Sequence, residues 1–133
     1  MVRSFLSRAL ETGGYEPVAA RTGEEARSML GARDAIAVAL IDGMLPDMHG
    51  MRLAREIIES SPPDPVGVCF VTGSITASTA PVAGVGALSK PLRVAHLLAT
   101  VGDLLSWRAG GGSPQAERLE ALERFEDAFA VGP

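Results

Sequence analysis

The chain is short of the residues that would tie it to an oxidising compartment, a membrane or a nucleic acid. Its 133 residues include one cysteine, Cys69, which has no partner within the chain for a disulfide, so a reducing, cytoplasmic setting is expected. Long hydrophobic runs are missing too. The longest, residues 35–41 (AIAVALI), is too short to span a bilayer, and no membrane partner is expected. Lysine and arginine form no cluster and the net charge is −4, so no nucleic-acid surface is expected either. The glycine-rich stretches contain neither GxxxxGK[ST] nor GxGxxG, which leaves a nucleotide site without support. Fifteen glycines and nine prolines scatter without period, and no internal repeat is present. What remains is an apolar fraction of 47% against 21% charged residues, enough to build one buried core in a chain of this length. Eleven of the twelve basic residues are arginines; the single lysine is Lys90.

Hydrophobic patterning gives an alternating order of elements. Residues 1–10 (MVRSFLSRAL) have the amphipathic, Arg- and Ser-bearing look of a transit peptide, but Val2, Phe5, Leu6, Ala9 and Leu10 recur at helical spacing and Gly13-Gly14 stops the pattern. A core-facing helix is the better reading. Residues 15–21 (YEPVAAR) form a short extended segment, and Thr22 with Glu25 three residues later makes a capping box for a helix ending near Gly31. Residues 35–41 and 66–71 (VGVCFV) are continuous apolar runs, as in strands buried on both faces. Between them lie a turn-rich loop, 42–50 (DGMLPDMHG), and a helix over 51–59. Residues 72–84, rich in Ser, Thr, Gly and Pro, hold at best a short, poor helix. A third strand over 85–89, a Lys90-Pro91 turn and a helix over 92–107 follow. The alternation predicts an α/β fold, a doubly wound parallel sheet with helices on both faces. Residues 109–114 (AGGGSP) read as a flexible linker and 115–133 as a charged C-terminal helix and tail, standing apart from a domain at 1–108.

In open α/β sheets the chemistry gathers at the carboxyl ends of the strands. Asp42 closes the first apolar strand, Thr72 the second, and Lys90 follows the third. Each has an ordinary explanation alone: an Asp after a strand caps or turns, a Thr does likewise, and a Lys before Pro decorates a surface. Three in succession place a carboxylate, a hydroxyl and an ammonium on one rim.

Around these residues, ALIDGMLPDMHG at 39–50, FVTGS at 70–74, ALSKP at 87–91 and GGYEPVAARTGEEA at 13–26 together resemble the receiver domains of two-component response regulators, over roughly residues 1–107. The resemblance implies a flavodoxin-like receiver fold in a bacterial, cytoplasmic phosphorelay protein that is not itself an enzyme. It implies that Asp42 accepts a phosphoryl group from a sensor histidine kinase or phosphotransfer protein as a carboxylate nucleophile. Lys90 is then expected to contact the phosphoryl group and Thr72 to report its arrival, while Pro46, Gly50 and a cis Pro91 shape the loops. Mg²⁺ is expected beside Asp42, held by its carboxylate and by the backbone carbonyl of Met44.

The sequence also departs from the family. It opens in the family's first helix, so the first strand and the acidic pair that ends it are absent, and weak Mg²⁺ binding is expected. That strand lies centrally in the family, and its absence predicts a homo-oligomer in which a second copy covers the gap. A truncated chain is the duller explanation. Ala87 stands where the family often has an aromatic residue, and the segment between Thr72 and Lys90 is short, so the family's fourth helix is trimmed. These departures define an alternative: a degenerate receiver acting as a phosphorylation-independent interaction or dimerisation module. A haloacid-dehalogenase-like phosphatase needs a second Asp two residues after the first, where Met44 stands. Of the remaining candidates, His49 in the loop and His96 in a helix are expected to face solvent or pack, Cys69 to be a buried and unreactive thiol, and Trp107 to cover an apolar patch.

Overall fold

The computed structural model describes residues 2–32, 36–42, 46–60, 65–73 and 78–125. Nine elements follow in order: α1 Val2–Thr12, α2 Gly23–Ala32, β1 Val38–Asp42, α3 Gly50–Glu59, β2 Gly67–Thr72, β3 Thr79–Val82, β4 Val85–Ser89, α4 Val94–Ala109 and α5 Gln115–Glu123. The sheet order is β1-β2-β4-β3. β1, β2 and β4 run parallel, and β3 pairs antiparallel with β4 at the far edge.

Every residue of β2 is buried, as its uninterrupted apolar run requires of a strand flanked on both sides and covered on both faces. The pleat sorts the side chains. Ile41, Val68, Phe70, Val85 and Ala87 pack beneath α3 (Leu53, Ala54, Ile57, Ile58) with Ala26 and Leu30 of α2 and with α5. Cys69 and Leu88 lie on the opposite face with Leu97, Val101 and Leu104 of α4 and Ala9 of α1. This is the doubly wound arrangement expected from the alternation. Cys69 is fully buried, and loss of hydration pushes its thiol up to about 12, so it is an inert core residue.

Three expectations need correction. Residues 15–20, within the segment 15–21 expected to serve as a strand before α2, join no strand among the described residues, which leaves β1 at the edge of the sheet. Between Thr72 and Lys90 there is a strand, β3, instead of a residual helix among the described residues. It returns to β4 through a two-residue turn in which Ala83 (φ 52°) and Gly84 (φ 74°) are both left-handed, the geometry that tight hairpins require. Gly84 has a second reason to be glycine: a Cβ there would lie 2.4 Å from the Trp107 ring.

The C-terminal helix is the third correction. It packs on the sheet: Ala121, Leu122 and Phe125 are buried in the cluster around Phe70, with the two rings 5.7 Å apart. Arg118, the one charged residue buried among the described residues, donates from Nε to the carbonyl of Ala83 (3.1 Å) and from Nη2 to that of Val66 (2.5 Å), and lies 4.6 Å from the Trp107 ring centre. Burial lowers its pKa to about 10, so the guanidinium stays charged at neutral pH and those carbonyl bonds remain charge-assisted. Trp107 therefore covers Gly84 and Arg118, and its own indole N–H donates to Ser113 Oγ at 2.8 Å.

Candidate functional site

Strand register brings the three predicted rim residues together. Asp42 is the last residue of β1 and stands opposite Val71; Thr72, next along β2, stands opposite Ser89 of β4, and Lys90 follows. The Lys90 N–H donates to the Thr72 carbonyl at 2.9 Å, which carries the β2–β4 pairing one residue past the strand. Lys90 Nζ reaches back across β2 to Asp42 Oδ2 at 3.4 Å. Both side chains are partly open to water, 32% for Lys90 and 45% for Asp42, so the pair is accessible to a reactant. Thr72 is 4% exposed. The Lys90–Pro91 peptide is cis, as expected. The end of β4 is further fixed by Ser78, whose Oγ accepts from the Ser89 N–H at 2.9 Å.

The loop after Asp42 does more than turn. Pro46 is exposed, and Gly50 is the buried first residue of α3. His49, expected to face solvent, is the N-cap of α3: its Nδ1 accepts from the Met51 N–H at 3.1 Å. His96 is exposed on α4. Asp47, not singled out in the sequence, spans to a different helix. Its Oδ1 accepts from the Gly23 N–H at 2.7 Å and its Oδ2 from the Glu24 N–H at 3.0 Å, which holds its carboxyl below the usual range. Met48 packs against Gly23 so closely that a Cβ on that glycine would lie 2.5 Å from the Met48 sulfur. Thr22 caps the same helix as expected, accepting from the Glu25 N–H at 3.0 Å. No sequence signal marked Asp47, whose partners are backbone amides far away along the chain.

A Mg²⁺ ion needs several oxygen ligands, most of them anionic in a protein site. Among the described residues no three His, Cys, Asp or Glu side chains converge on a point that could hold a metal. Asp42 is the one expected ligand within them; Met44 lies outside the described residues. The described residues therefore do not form the metal centre that a receiver is expected to carry.

The chain resembles known proteins in both sequence and fold. The family model for the response regulator receiver domain matches residues 1–102. Among solved structures, a CheY-like receiver domain protein from Methanospirillum hungatei is 24% identical with a TM-score of 0.65, covering 82% of this chain and 88% of that one. A receiver domain protein from Clostridium thermocellum is 21% identical with a TM-score of 0.66, covering 81% and 88%. The receiver domain of NtrX from Brucella abortus is 22% identical with a TM-score of 0.65, covering 79% and 90%. At these identities the structures establish the fold alone. No curated protein matches the sequence significantly. α5 lies beyond the matched residues, while Asp42, Thr72 and Lys90 lie within them. The chain belongs to the response regulator receiver domain family of two-component signalling.

Proposed function

We propose that this receiver accepts a phosphoryl group on Asp42 from a partner histidine kinase or phosphotransfer protein and relays the change by protein–protein contact. The observation that carries this reading is the Lys90 ammonium 3.4 Å from the Asp42 carboxylate on an open rim, with Thr72 on the intervening strand. An Asp42 oxygen attacks phosphorus, the P–N bond of the donor phosphohistidine breaks, and its electron pair and a proton go to the departing imidazole. Lys90, a point charge with three donors, neutralises the phosphoryl oxygens as they approach. Thr72 supplies a hydroxyl one strand away. Pro46, Gly50 and Pro91 set the course of the loops that carry these groups. The domain is a signalling module and not an enzyme, and it acts in the cytoplasm.

The test is incubation with acetyl phosphate and Mg²⁺, read by intact mass. A gain of one phosphoryl group that Asp42→Asn abolishes supports the reading, and Thr72→Ala is expected to leave the modification but blunt any response to it. No gain on the wild-type chain overturns it and favours the second reading, a phosphorylation-independent interaction module. The observation favouring that second reading is the lack of a metal-binding cluster among the described residues. We also propose a homo-oligomer, supported by the edge position of β1, where the register turns the backbone groups of Val38 and Leu40 away from β2. Light scattering that finds a folded monomer at micromolar concentration would defeat it.

A further inference from the structure

The loop that leaves Asp42 is fastened to two helices by side chains two residues apart. Asp47 caps α2 from outside, through the Gly23 and Glu24 amides, and His49 caps α3 through the Met51 amide. The two bonds accepted by Asp47, at 2.7 and 3.0 Å, are made to a charged acceptor at a helix N-terminus, where the backbone dipoles favour an anion. They span more than twenty residues of sequence, so α2 depends for part of its N-terminal satisfaction on where this loop lies. The next amide, Glu25, is different. It is held by Thr22, within the helix's own sequence, and gains nothing from the loop.

On the other side of the rim, among the described residues, little can carry a displacement. Ala87, at the centre of β4, is fully buried and has no side chain to swing, and β4 is held between β2 and the β3 hairpin beneath α5. On the Asp42 side, Asp47, the first of these two caps, stands five residues further along the sequence.

We infer that Asp47 is the positioning residue that couples the phosphoryl state of Asp42 to the first turn of α2, making the α2 N-terminus the surface this receiver changes for its partners. The inference rests on the proposed phosphoacceptor role of Asp42. When Asp42 is modified, the stretch bearing Asp47 moves relative to α2, the Gly23 and Glu24 amides lose or regain their acceptor, and Glu25 does not respond. A bulky side chain cannot take over at Gly23, because Met48 fills that space.

Amide hydrogen exchange with residue resolution, with and without acetyl phosphate and Mg²⁺, tests this on the full chain. In the wild type, acetyl phosphate is expected to change exchange at Gly23 and Glu24 by about fivefold, the factor that corresponds to one helix cap, and to leave Glu25 unchanged. In Asp47→Ala, acyl phosphate still forms, but Gly23 and Glu24 exchange faster at the outset and no longer respond; Asp47→Asn, which keeps one acceptor oxygen, restores part of the protection. If acyl phosphate forms and Gly23 and Glu24 are unaffected, Asp47 is a structural cap only and the inference fails by itself. If no acyl phosphate forms on the wild type, the phosphoacceptor reading fails and takes this inference with it. A thermal melt of each variant separates loss of the cap from loss of the fold.

Discussion

Leu122→Ala is the sharpest probe of the C-terminal helix. Leu122 is fully buried in the cluster formed by Phe70, Ile57, Ile58 and Phe125, on a helix that charge content alone would assign to solvent. Truncating a buried leucine to alanine removes its burial energy and leaves a cavity, together about 3 kcal/mol where neighbours cannot collapse into the space. Neighbours here belong to α3 and β2, elements fixed by the sheet, so little collapse is expected. In a domain of this size each kcal/mol moves the melting midpoint by roughly 4 °C, giving a fall of about 12 °C. The measurement is a circular dichroism melt together with urea unfolding, compared with Glu120→Ala on the exposed side of the same helix, which should stay within about 0.5 kcal/mol of wild type. If Leu122→Ala changes stability no more than Glu120→Ala does, the helix does not cover the sheet and the packing argument is wrong.

Two further outcomes follow from single contacts. Thr22→Ala removes the cap on the Glu25 amide and should cost about 1 kcal/mol, with Thr22→Ser retaining most of it in the same melts. The Glu56 carboxylate accepts from Arg27 Nε and Nη2, both at 2.7 Å, which lowers its pKa from the ordinary 4.5 and ties α2 to α3. A group whose pKa is lower in the fold stabilises above its unfolded value and loses that contribution as pH falls. Glu56→Gln should therefore cost about 0.5–1 kcal/mol at neutral pH, a partly exposed pair's worth, and the gap should close in urea titrations as pH falls below about 4.5.

The parallel core was legible because each of its strands is an apolar run with turn residues at both ends, and a period of two or none leaves few alternatives. The rim was legible for the same reason: Asp42, Thr72 and Lys90 each sit where such a run stops. β3 was not. Two-residue hairpins are advertised by Asn-Gly or Asp-Gly, and here the left-handed pair is Ala83-Gly84, with Pro81 inside the strand. Proline is tolerated there because β3 is an edge strand and lacks a second neighbour. α5 was misread through its charges. Arg118 counted toward a solvated face, yet its guanidinium finds backbone carbonyls at the hairpin turn and just before β2, bonds made only when the chain has folded. Asp47 was invisible for a similar reason: its partners, Gly23 and Glu24, are distant in sequence and offer only backbone N–H groups.

These misreadings concern one exchange of parts. The face of β2 and β4 that carries Phe70, Val85 and Ala87 must be covered, since an exposed strip of that width would cost the fold its core. The stretch between the second and third apolar strands includes the β3 hairpin, which pairs with the edge of β4. α5 supplies the cover from the other end of the chain, fixed near the start of β2 by Arg118 and Trp107 and near its middle by Phe125 on Phe70. A cover held by buried charge-assisted bonds at one end and ring contact at the other is poorly suited to yield to small changes at the rim. The loop bearing Asp47 is held to α2 by two exchangeable hydrogen bonds at a half-open surface and by Met48 against Gly23. If phosphorylation moves anything in this receiver, the weaker attachment gives way first, and that attachment is at α2.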